Sequence, residues 1–428
     1  MKAAFYEKDI TPPLGCYLAG SYVNHVATDV LDPLFVRAAV IENNGTTVAM
    51  IDIDSCEFPE DMHDIVTERI RTYTGIDSSH VMITVNHTHK GIPIFDNPEL
   101  LAYADVPYKD VAYRLIADCV ILANMRLQES DLLFGESKAE GIAFNRTFIM
   151  KDGTYRTNCH RDAENIVSNL AGVDESVPVL FACDKEGHPK GAIVSFACHQ
   201  DVNPGTAYSG GFASILSKDL KKKFGEDFVT VFFAGTSGDI NHLDPARLGK
   251  MPKDTYVHMG HVLSEAILDA YDHAAPIMGD CVISLKEKLK VPKRPYDRQS
   301  VLADIRKFAE EGRLMEIRNL AVYEACNQEM EQEVYLQCIR IGDVAFFGYS
   351  GEVFVNFGLA LKERCPFQKV IIATLANCGC GYVVTREALA PQSRMYETAL
   401  CLGTYLDQEA GYLMNDKLFE LSERAAEL

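Results

Sequence analysis

Gly191-Ala-Ile-Val-Ser-Phe-Ala197 and Phe228-Val-Thr-Val-Phe-Phe233 decide the fold class of this chain. Each is a short, unbroken run of apolar and β-branched residues, the pattern of a strand buried on both faces. Between them, from about Phe212 to Phe224, the spacing predicts a helix. Strand, helix, strand is the signature of a parallel pair, because parallel neighbours need a crossover long enough to return the chain. Upstream, Thr46-Thr-Val-Ala-Met-Ile-Asp-Ile-Asp54 reads as a strand ending in carboxylates. A helix follows from Pro59 to about Tyr73, then a second strand from His80 to Val85. Pro107 suits a first helical position and opens a helix to about Leu127. Downstream, Thr255 to Ala274 is helical. From Asp280 the pattern changes: a strand to Val291, helices over about Arg298–Cys326, then strands Glu333–Ile341, Val344–Tyr349 and Val370–Leu375, and a closing helix from Lys417 to Leu428. The expectation is an α/β protein of mixed, largely parallel sheets flanked by helices. It is organised as one domain over residues 1–428, or as two lobes of about 1–280 and 281–428. No internal repeat is legible.

Of the 428 residues, 47% are hydrophobic and 24% charged, a globular composition that excludes disorder, collagen and coiled coil. Lys and Arg number 41 against 61 Asp and Glu, a formal charge of −20 that repels polyanions. Nucleic acid and anionic membranes are therefore poor partners. No apolar run approaches the ~18 residues of a membrane helix. The start, Met1 to Asp9, lacks the apolar stretch of a signal peptide. The 13 Cys show no paired CxxC spacing, and Cys378-Gly-Cys380 alone is a weak metal signal. These features point to reduced, mostly buried thiols and a cytoplasmic protein without membrane insertion. Assembly into a homo-oligomer is left open.

Reactive residues gather where the strands end. The run to Val85 leads into Asn86-His87-Thr88-His89, and the run to Ala197 into Cys198-His199-Gln200-Asp201. Phe233 leads into Gly238-Asp239-Ile240-Asn241-His242, and Tyr349 into Ser350-Gly351-Glu352. Leu375 leads into Asn377-Cys-Gly-Cys-Gly381-Tyr382. Open α/β sheets collect ligands at the carboxyl ends of their strands. His87 and His89 share one face of an extended chain, a spacing for joint metal binding or for one ligand beside one acid–base imidazole. With His199 and Glu352 at neighbouring ends, the set reads as a catalytic zinc site of His and carboxylate ligands with an open position. Gly238-Asp239 is either a helix-capping turn or a turn that aims a carboxylate at a substrate. No GxSxG elbow, Walker A loop or strand-anchored GxGxxG occurs. Tyr208-Ser209-Gly210-Gly211 fits an anion-binding loop and a plain helix start equally well.

At these positions the sequence resembles the neutral/alkaline (non-lysosomal) ceramidase family, in its distant bacterial branch. Asp9-Ile-Thr-Pro-Pro13 is similar to the family's opening motif and Asn86-His-Thr-His89 to its HTH segment. Asn145-Arg146, Phe196-Ala-Cys-His199, Gly238-Asp239 and Gly351-Glu352 follow in family order. Gly381-Tyr382-Val-Val-Thr385 with Met395-Tyr396-Glu397 resembles its closing tyrosine motifs. The resemblance runs over roughly residues 5–400. It implies a ceramidase-like catalytic domain with one zinc per chain held by His87, His199, Glu352 and Tyr382. It also implies substrate contacts from His89, Arg146 and Tyr396.

Two departures shape the expected chemistry. Asn241 stands where the family has its serine nucleophile, and an amide cannot attack a carbonyl. The family's immunoglobulin-like carboxyl domain and secretion signal also have no counterpart in the sequence. The expected activity is therefore hydrolysis of an amide or ester in a small polar substrate, with metal-activated water as nucleophile. His89 or Asp239 would move protons, while Arg146, Asn241 and Tyr396 orient substrate. Alternatives are glycoside cleavage by paired carboxylates such as Asp239 and Glu352, a ceramidase-like lipid amidase, and a non-catalytic binding protein. Zero Trp removes the commonest sugar-stacking side chain, although 19 Tyr remain.

Overall fold

One structural unit occurs three times along the chain. In the first, strands Lys2–Asp9, Phe35–Asn43 and Thr46–Ile53 pair antiparallel in succession. The helix Met62–Thr74 crosses over, the strand Val81–Val85 pairs parallel to Thr46–Ile53, and the helix Val106–Asn124 closes the unit. Strands Asp131–Lys138, Ser176–Cys183 and Pro189–Phe196 repeat the order, followed by the helix Gly211–Phe224, the strand Val229–Ala234 and the helix Thr255–Asp272. The third copy comprises Val282–Pro292, Glu331–Ile341 and Val344–Tyr349, the helix Val355–Arg364, the strand Lys369–Ala373 and the helix Ala410–Glu427. This computed structural model describes all residues except 19, 21–24, 97–102, 245–251, 253, 296, 298, 300–328 and 401–402. The helices expected over about Arg298–Cys326 fall outside the described residues.

The three sheets pack against one another through a shared core. Met50 and Met82 of the first sheet, Ile193 and Phe233 of the second, and Phe346 and Ile371 of the third belong to one cluster. The opposite face of each sheet is covered by the two helices of its own unit. Val66 and Ile116 lie on the first sheet, Leu216 and Leu263 on the second, Leu361 and Met414 on the third. Burial on both faces is why these strands read as continuous apolar runs. Contact between layers is close. At Gly135 a Cβ would stand 2.0 Å from the carbonyl oxygen of Ala270 in the covering helix.

The fold is mixed α/β, as the sequence indicates, but the expected predominance of parallel pairing is corrected. Each of the three main sheets holds a single parallel pair, at one edge, and the other pairs are antiparallel. Tight turns account for one antiparallel pair in each unit. Asn44 and Gly45, both at positive φ (50° and 84°), join two strands by the two-residue hairpin whose twist matches its flanks. The parallel pairs matter for function. Both members of such a pair deliver their carboxyl ends to the same edge, and it is from these edges that the site is built.

Candidate metal centre

Each unit contributes one ligand candidate. Val81–Val85 runs into His87, Pro189–Phe196 into His199, and Val344–Tyr349 into Glu352. Local structure fixes each delivery. His87 adopts φ 64°, a left-handed conformation that costs a non-glycine residue about 1 kcal/mol or more and persists only when its surroundings impose it. Those surroundings are hydrogen bonds on Asn86, whose amide donates to Asp54 and whose carbonyl accepts from Gln200 Nε2 at 2.9 Å. Asp54 in turn is held 3.0 Å from the buried Arg37 guanidinium, which explains the carboxylates at the end of that strand. Gly351, at φ 76°, turns the third loop where a Cβ would meet the Gly381 carbonyl oxygen at 2.5 Å. The short strand Glu352–Val353 then pairs parallel to Tyr382–Val383, setting Glu352 beside Tyr382.

The donor atoms converge. His87 Nε2 lies 3.2 Å and His199 Nε2 3.1 Å from Glu352 Oε2, and all three side chains are buried. His87 Nδ1 meets the Cys56 carbonyl at 2.7 Å and His199 Nδ1 meets the Ser237 carbonyl at 2.7 Å. A carbonyl only accepts, so each Nδ1 carries the proton and each Nε2 is free to present a lone pair. Glu352 Oε2 has no hydrogen-bond partner. Two imidazole nitrogens and a buried carboxylate oxygen gathered at one point are donor atoms of the kind that can hold a metal ion. Electrostatics differ between the two imidazoles. Burial opposes charge on Glu352, but His87 and His199 outweigh it and hold the carboxyl well below its usual range. Burial, then the nearby Arg146, presses His199 down to about 3, so its imidazole is neutral and ready to ligate. Burial works the same way on His87, but Cys56 and Glu352 outweigh it and raise that group.

The remaining expected residues divide into two sets. Tyr382 OH lies 3.4 Å from His199 Nε2, 3.2 Å from Arg146 Nη2 and 3.1 Å from Tyr396 OH, so these three join the ligand cluster. His89 stands 3.3 Å (Nε2 to Nε2) from His87. Asp239 and Asn241 are engaged elsewhere. Asp239 Oδ1 accepts the Val355 N–H and Oδ2 accepts from Asn145 Nδ2, both at 2.8 Å. Its carboxylate caps the first turn of Val355–Arg364, a helix of another unit. Burial pushes that carboxyl up to about 6. Asn241 donates to Asn158 Oδ1 at 2.8 Å and accepts the Leu243 N–H at 3.0 Å. Arg146 is compensated inside the protein. Its Nε lies 3.0 Å from Glu397 Oε1 and its Nη2 donates to the Gly238 carbonyl at 2.7 Å.

Sequence reading missed Glu397, which lies against Arg146, Cys56, whose Sγ lies 3.8 Å from His87 Nδ1, and Asp201, 3.7 Å from His89. Glu397 follows Tyr396 directly, so a search for the counter-charge of a buried arginine would have found it. Cys378-Gly-Cys380 joins no group of potential metal ligands among the described residues. At the Ser209 turn, Ser209 Oγ donates to Asp32 Oδ2 at 2.6 Å. No helix among the described residues is long and apolar enough to cross a membrane.

No protein-family model matches the chain, and no curated protein matches it. Several solved structures are similar, two of them as follows. One is the neutral ceramidase from Pseudomonas aeruginosa, at 17% identity and TM-score 0.76 over 99% of this chain and 74% of that one. The other is a ceramidase complexed with C2, at 15% identity and TM-score 0.76 over 100% of this chain and 75% of that one. At these identities the likeness is one of architecture: the chain has the neutral ceramidase fold.

Proposed function

We propose that this chain is a zinc-dependent hydrolase that cleaves an amide or ester bond in a small polar substrate, with the whole chain forming one catalytic domain. The observation that carries the reading is the convergence of His87, His199 and Glu352 from three separate structural units, with both imidazole Nε2 atoms within 3.2 Å of Glu352 Oε2. Tyr382 is the proposed fourth ligand. Nitrogen and oxygen donors with one protein ligand at longer range suit Zn²⁺. When bound, the ion supplies Lewis acidity that polarises a carbonyl and lowers the pKa of water towards ~7. The chain's own residues do the rest. The Cys56 and Ser237 carbonyls keep the imidazoles in the ligating tautomer. Arg146, held by Glu397, sets the Tyr382 and Tyr396 hydroxyls against the ligands, and His89 is the group placed to move a proton. Asp239 acts as a brace rather than a proton carrier. This geometry also weighs against the glycosidase alternative, which needs Asp239 as a free carboxyl.

Soluble N-acyl amino acids, N-acyl sugars, simple esters, aryl glycosides and detergent-solubilised ceramide form the test panel. Turnover of a soluble amide or ester that stops with chelator and returns with zinc is the expected result. Ceramide cleaved faster than every soluble compound overturns the substrate class. Activity indifferent to chelation overturns the metal.

A further inference from the structure

The proposed reaction needs a hydrogen-bond donor for the oxygen of the carbonyl under attack, and Asn241, one of the three residues expected to orient substrate, is tied to Asn158 and Leu243. We propose that the neighbouring His242 takes this part, donating a ring N–H to the substrate's carbonyl oxygen; the proposal rests on the hydrolase reading above.

Three observations support this assignment. The segment Gly238–His242 is built into the centre: His199 N–H donates to the Ile240 carbonyl at 3.1 Å, and Arg146 N–H donates to the Asp239 carbonyl at 2.9 Å. At Gly238 a Cβ would stand 2.6 Å from the carbonyl oxygen of Glu352, so this turn touches the third ligand's backbone as well. Of the charged groups whose fields act on the His242 ring, His89 lies 3.3 Å from His87 and Arg146 Nη2 lies 3.2 Å from Tyr382 OH. Finally, His242 Nδ1 is buried and has no hydrogen-bond partner among the described residues. A buried ring nitrogen without a partner is expensive to maintain, and a ligand that supplies one removes the penalty.

The electrostatics suit a donor. Burial lowers His242 to about 4; Asp201 opposes this, while His89 and Arg146 add to it. At neutral pH the ring is therefore an uncharged imidazole carrying one N–H, which polarises a carbonyl without delivering a full proton. An uncharged donor also avoids adding a further cation beside Arg146 and the metal.

The experiment uses the full chain loaded with zinc and compares wild type with His242→Phe and His242→Gln. Acetohydroxamate binding by calorimetry reads the donor without turnover, and 4-nitrophenyl acetate hydrolysis reads it in the reaction. His242→Phe is expected to keep its zinc, bind acetohydroxamate about tenfold more weakly and lose ~10²-fold in kcat with KM within about twofold. His242→Gln, whose amide can donate, is expected to recover at least about tenfold of that loss. Wild-type values in His242→Phe, or a glutamine variant as impaired as phenylalanine, overturn the assignment. Acetohydroxamate binding that depends on His242 in a protein that hydrolyses nothing overturns the hydrolase reading and leaves the donor site standing. A wild type that neither binds nor hydrolyses overturns both.

Discussion

Replacing Asp239 by alanine separates a brace from a proton carrier. The carboxylate accepts two hydrogen bonds at 2.8 Å, one from the Val355 N–H at the start of Val355–Arg364 and one from Asn145 Nδ2, and it is buried. Hydrogen bonds to a charged group contribute about 1.5–3 kcal/mol each, and each partner left unsatisfied in the interior adds to the loss. Capping residues alone contribute about 1 kcal/mol. Asp239→Ala is therefore expected to destabilise the fold by about 4 kcal/mol. With an unfolding entropy of about 2.1 cal/mol/K per residue, 428 residues give about 0.9 kcal/mol/K, so Tm should fall by about 4–5 °C. Asp239→Asn keeps one acceptor and should lose about half as much. Scanning calorimetry with a parallel urea titration reads both. If Asp239 carried protons instead, the alanine variant would lose turnover with Tm unchanged within about 1 °C. That outcome would refute the bracing role and restore the carboxylate to the chemistry.

His199→Ala should lose most of the zinc found in wild type by elemental analysis, because the neutral imidazole is one of three converging donors; a full complement in the variant means the ligand set is wrong. Lys286 is held by the Ser78 carbonyl at 2.7 Å and His63 Nε2 at 3.0 Å, and burial lowers it to about 7. Its folded value lies below the unfolded ~10.4, so the unfolded chain binds the extra proton above pH 7 and stability rises from there towards pH 10. Between pH 7 and 9 the gain should be about 2 kcal/mol in urea titrations, and Lys286→Met should abolish it; equal slopes for both proteins would refute the assignment. Gly135→Ala forces a Cβ to within 2.0 Å of the Ala270 carbonyl oxygen, so the helix Thr255–Asp272 must move off its sheet. A loss of about 3 kcal/mol is expected, and wild-type stability would contradict this packing.

The sequence by itself determined which segments are buried strands, because burial on both faces leaves an uninterrupted apolar run. It also marked His87, His199 and Glu352, because polar residues placed directly after such runs must emerge at a sheet edge. It could not show strand direction, which depends on turns as short as Asn44-Gly45, nor the threefold repeat, which preserves the order of elements while the residues filling them differ. The roles of Asp239 and Arg146 were equally hidden. Asp239 reads as a reactive turn residue until its partners are known, and these lie 94 and 116 positions away in the chain. Arg146 reads as a free fork for a substrate carboxylate until Glu397 is found against it. Local pattern records where a side chain is buried. Which group satisfies it is decided only when three units close on a common core, because a buried polar atom takes whichever partner the tertiary fold brings within 3 Å.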